Sequence, residues 1–167
     1  LRHELVHRLD EDLGCDEAPS MVREGLAVYV AGGHYRPEPI RAKAAALLET
    51  PRYVPLATLV EGFYGHQHEI AYLEAGAVIG YLVDRLGWHG LPEFCKATGV
   101  STGSDETDRT RWEAGLRAVG IGDAADFEAA WQGWLVRGAS ASGIVTTEDL
   151  ELEVRLMDAM RTYQAAF

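Results

Sequence analysis

Five residues near the start of the chain, His3-Glu4-Leu5-Val6-His7, constrain its fold more tightly than any other stretch. Positions four apart share one face of an α-helix, because 3.6 residues complete a turn. On a helix, His3 and His7 can reach a single metal ion, with Glu4 beside them to handle a water bound to it. Glu24 follows after sixteen intervening residues. That spacing lets the first helix finish, turn and return antiparallel, which brings a carboxylate from a second helix to the two imidazoles. Two histidines and one glutamate, with a fourth position open for water, make up one group of catalytic zinc sites.

The rest of the chain reads as helices punctuated by Gly and Pro. Residues 1 to about 13 form the first helix, with Leu1, Leu5, Leu9 and Leu13 as an apolar stripe beside the histidines. Gly14 to Pro19 is a breaker; Ser20 is placed to cap a second helix through about Ala31, closed by Gly32-Gly33. Residues 37–50 predict an Ala- and Leu-rich packing helix, and 51–68 a connector holding Tyr64, His66 and His68. Such a loop could line a cleft or simply lie on the surface. Residues 69–86 form the best-patterned helix, whose small residues Ala75, Gly76 and Gly80 permit close packing; Gly87 ends it and another helix starts at Trp88. After a polar loop at 99–108, helices follow at about 109–118 and 124–137, the latter with Phe127, Trp131, Trp134 and Leu135 on a core-facing side. A Gly/Ser/Ala stretch at 138–143 leads to a last helix at about 147–165, whose stripe of Leu150, Val154, Met157 and Met160 must dock on this domain or on a partner. Strand signals are nearly absent, so the expected class is all-α, with a domain at 1–137 and a linker plus helix at 138–167.

Composition narrows the function classes. A chain of 167 residues, 47% hydrophobic and 25% charged, suits one soluble globular domain. Its net charge of −11 argues against nucleic acid as the main partner, since phosphate binding needs a basic face. No apolar run approaches the ~18–20 residues of a membrane span. Cys15 and Cys95 have no close spacing, so neither a disulfide framework nor a cysteine zinc site is implied. Small buried apolar side chains are the expectation for them. A helix whose first turn carries a metal ligand would fray with nothing before it. A longer protein, of which this is the C-terminal part, is therefore expected, and the cellular compartment is left open.

His3-Glu4-Leu5-Val6-His7 followed by Arg23-Glu24-Gly25-Leu26-Ala27-Val28-Tyr29 resembles the gluzincin metallopeptidases, the group that includes thermolysin and the aminopeptidases. The likeness extends more softly through Tyr72-Leu73-Glu74-Ala75-Gly76 to about residue 137, where the chain is similar to the helical tail of bacterial gluzincin-like peptidase domains. The resemblance implies Zn2+ held by His3, His7 and Glu24, with Glu4 as general base. It also implies a later Tyr or His that stabilises the oxyanion, for which Tyr72 is preferred ahead of His66, His68 and Tyr64. A core or rim position for Tyr72, and a helix-dipole role for Glu24, are the alternatives.

The chain departs from the family in two ways. The upstream β-sheet, along whose edge such enzymes lay a peptide, is missing. Val28 stands where thermolysin-type sites carry an Asp that orients a histidine, which leaves Asp10 or a backbone carbonyl for that task. The expected function is thus zinc-dependent hydrolysis of peptide bonds in a peptide or protein substrate. The alternative is a catalytically inactive helical interaction module derived from such an enzyme, and a hydrolase acting on other substrates stands third.

Overall fold

The computed structural model describes residues 2–100, 106–139 and 145–165, and every regular element among them is a helix. In chain order they are α1 (Arg2–Val6), a 3-10 turn (His7–Leu9), α2 (Asp10–Leu13), α3 (Ser20–Ala31), α4 (Ile40–Leu47), α5 (Leu56–Glu61), a second 3-10 turn (Phe63–Gly65), α6 (His68–Gly99), α7 (Asp108–Ala118), α8 (Ala124–Ala139) and α9 (Thr147–Ala165). Leu1, the tip of the polar loop and most of the small-residue stretch before α9 lie outside the described residues.

α6 is the axis of the fold, and α3 lies directly against it. Close approach of these two helices demands small residues at the crossing. A Cβ on Gly25 would sit 2.6 Å from the Ala75 carbonyl oxygen, and one on Gly76 would sit 2.6 Å from Val28 Cγ1. Glycine therefore follows Glu24 so that the helix carrying the carboxylate can seat on α6. The expected break at Gly87 is present: its φ of 68° and ψ of 168° suit only glycine, and the helix changes course there. The aromatic face of α8 is core as expected, with Phe127, Trp131 and Leu135 buried. Trp112 meets both Phe94 and Phe127 edge-on at 5.3 Å between ring centroids.

Four sequence expectations need correction. Cys15 and Cys95 form a disulfide across 80 residues, fastening the turn after α2 to the end of α6. Chain distance hid this pair, because only the fold brings the two sulfurs together. Helix α3 is entered through Pro19, whose carbonyl accepts from Val22 and Arg23, so Ser20 is already helical rather than a cap. The connector at 51–68 contains α5, a helix of six residues, too short for periodicity to reveal. Within the leucine stripe of the first segment, Leu5 is 59% and Leu9 48% exposed, while His3, Val6 and Asp10 face inward. Packing of α1 on α3 selected the side with hydrogen-bonding partners, and the aliphatic side faces out.

The terminal helix docks on the domain itself. Leu150 and Val154 join the core, while Lys43 pairs with Glu153 at 2.6 Å, Arg52 with Glu151 at 2.9 Å and Arg161 with Glu69 at 3.0 Å.

Candidate metal centre

The regular α-geometry of the first segment gives way to a 3-10 turn at His7, yet the two histidines still converge: His3 Nε2 and His7 Nε2 lie 3.3 Å apart. Glu24 of α3 meets both, its Oε2 at 3.1 Å from His3 Nε2 and 3.5 Å from His7 Nε2. Ligands at 2.0–2.1 Å around a tetrahedral ion stand about 3.3–3.4 Å from one another. The observed triangle of donor atoms has nearly those edges.

The surrounding groups prepare these atoms. His7 Nδ1 lies 3.1 Å from Asp10 Oδ2, and an ionised carboxylate only accepts, so the imidazole donates there and leaves its Nε2 lone pair facing the triangle. Asp10 is 1% exposed and is also approached by Arg23 Nε at 3.5 Å. It occupies the orienting position for which the sequence offered it as a candidate. Tyr64 donates its hydroxyl to Glu24 Oε1 at 2.9 Å, which leaves Oε2 to the histidines. Burial lowers the pKa of His3 against the opposing pull of Glu24, so the imidazole favours its neutral, metal-competent form.

The remaining sequence candidates separate clearly. Glu4 is exposed on α1, and its charge reaches His3. Tyr72 is 8% exposed, with its ring centroid 6.0 Å from that of His3. Burial and the neighbouring Glu24 carboxylate push its hydroxyl well above the usual phenol range, so it is a proton-bearing donor at neutral pH. His68 stacks on Tyr72 at 4.1 Å. His66 does not join the cluster; its Nε2 lies 3.3 Å from the Thr58 carbonyl. The sequence reading missed His34, which stacks on Tyr72 at 4.1 Å and stands 4.8 Å from the His3 ring. A histidine right after the Gly32-Gly33 helix stop was the available signal. Beside this aromatic group, a groove of about 470 Å³ runs between Tyr35, Glu69 and the α9 residues Leu156, Met157, Met160 and Arg161.

Fold and site define an all-helical domain with a His/His/Glu cluster held between its first helix and α3. Comparison of the chain with protein-family models, curated proteins and solved structures finds no match.

Proposed function

We propose that the chain is the metal-binding helical part of a zinc-dependent peptidase, with His3, His7 and Glu24 as ligands. The observation that carries this reading is the triangle of donor atoms at 3.1, 3.3 and 3.5 Å, backed by Asp10 on His7. A zinc ion there supplies an acidified water and a Lewis acid for a peptide carbonyl. Glu4, adjacent to one ligand and exposed, takes a proton from the attacking water and returns it to the leaving amine. Tyr72, with its proton held by burial, is the donor for the developing oxyanion, and Tyr64 holds the ligand carboxylate in place. The Cys15–Cys95 bond suits work in an oxidising compartment. No helix among the described residues is long and apolar enough to cross a membrane.

A second reading, the catalytically inactive helical module, is favoured by one observation: Leu5 and Leu9 lie exposed on the same segment as Glu4, an apolar face suited to a partner. Two measurements separate the readings. Zinc bound by the purified chain and lost in His7→Ala supports the metal centre, and absence of zinc from both proteins after adding it back removes it. Peptide hydrolysis that disappears in Glu4→Gln while zinc is retained supports catalysis, whereas equal behaviour of Glu4→Gln and wild type favours the module.

A further inference from the structure

We infer that the domain holds a second divalent-metal site, formed by His34, His68 and Glu69. This inference does not depend on the peptidase reading. The three residues come from the turn after α3 and the first turn of α6, and each offers a ligand atom lying within 4.8 Å of the others.

Two further observations point to an ion rather than to packing alone. First, Nδ1 of His34 and Nδ1 of His68 are both buried without a hydrogen-bond partner. The Glu69 carboxylate lies 3.3 Å from His68 Nδ1 but makes no hydrogen bond to it. Buried polar atoms are nearly always satisfied, so two unsatisfied imidazole nitrogens on adjacent rings ask for a partner that is not a protein group. Second, a cavity of about 20 Å³ borders two of the three ligands, His34 and Glu69, with Tyr72, Glu38 and Lys43 also in its wall and His68 outside it.

The chemistry of the donors agrees. Two imidazoles and a carboxylate suit Zn2+ or Co2+ better than Mg2+ or Ca2+, which prefer all-oxygen shells. Glu69 is shared: Arg161 of α9 holds its Oε1 at 3.0 Å. The terminal helix thus competes with the ion for one ligand, and filling the site loosens that tie.

The test is Co2+ and Zn2+ titration of the whole chain by calorimetry, with metal content after dialysis and circular dichroism to verify folding. Wild type should take up two equivalents. His7→Ala should retain one, and the near-isosteric Glu69→Gln should also retain one, with His68→Gln as a second variant at the same site. Arg161→Ala should tighten the Glu69-dependent step. A single equivalent in wild type that is lost only in His7→Ala would overturn the second site and leave the first standing. Two equivalents unchanged in folded Glu69→Gln and His68→Gln would equally overturn it. Loss in Glu69→Gln alone, with His7→Ala unchanged, would instead uphold this site and remove the first.

Discussion

The two histidine clusters contain the same residue types, two imidazoles and a carboxylate, yet they are assembled in opposite ways. In the first, His3 and His7 come from one continuous helical segment that places them on one side, edge-on to each other, and only Glu24 is brought in by tertiary contact. In the second, His68 and Glu69 are chain neighbours at the start of α6, and His34 arrives from a turn. The first cluster also has built supports, with Asp10 behind His7 and Tyr64 behind Glu24. Both keep buried imidazole nitrogens without a hydrogen-bond partner, His3 Nδ1 in the first and the Nδ1 atoms of His34 and His68 in the second, but only the second shares its carboxylate with Arg161. A site written into a helix repeat comes with orienting groups at fixed offsets, as Asp10 sits three residues after His7; a site made by packing depends on its neighbours.

The largest effect that would sharpen this contrast is on the disulfide. Cross-linking an 80-residue separation stabilises a fold by about 4 kcal/mol in the chain-entropy account. Cys15→Ser/Cys95→Ser should therefore shift the denaturant midpoint strongly downward. Because Cys15 directly follows the helical segment of the first cluster, metal affinity should suffer there more than at His34 and His68. Equal loss at both sites, or a midpoint indifferent to reductant, would break the comparison.

Next comes Glu24→Gln, expected to weaken zinc binding at the first cluster by more than about 100-fold, beyond the 10–100-fold range typical of orienting partners. Calorimetry should find the second binding step intact. Asp10→Asn should fall inside that range, about 10–100-fold weaker, because Asn no longer offers His7 a charged acceptor. An unchanged affinity in Asp10→Asn would mean that the helix alone orients the ring. Tyr64→Phe should cost about 10-fold or less, since Tyr64 is largely exposed and water can replace its hydroxyl on Glu24.

The smallest effect serves as a control away from both clusters. Glu74 is buried on α6, with one oxygen accepting from Val54 N and the other unpartnered. Burial raises its pKa well above 4.5 in the folded chain, so folding favours the protonated form. The unfolded chain releases that proton first. The contribution to stability is therefore complete below about 4.5 and declines as the pH rises towards the folded value. Glu74→Gln should flatten the pH dependence of the melting temperature between neutral and weakly acidic conditions and leave both metal affinities unchanged.

The legibility of this chain follows the same division. The helices at 20–31, 108–118, 124–139 and 147–165 were readable to within one or two residues, because apolar spacing and flanking Gly, Pro and polar breaks are local signals. Gly87 was readable as a break for the same reason. The six-residue α5 was not, since too few turns repeat for a pattern to emerge. The exposed Leu5 and Leu9 show the limit of periodicity: it finds a stripe but does not say which side of a helix meets its neighbour.

By itself, the sequence determined the all-helical class, the position of most helices and the convergence of His3 and His7, since each follows from the 3.6-residue turn. It also put glycine after Glu24, where α6 needs room. Tertiary structure alone decided the Cys15–Cys95 bond, the placing of His34 against Tyr72 and His68, and the docking of α9 through Lys43 and Glu69. These pairings join residues far apart in the chain. Their energies depend on distance in space, and no local spacing in the sequence encodes that distance.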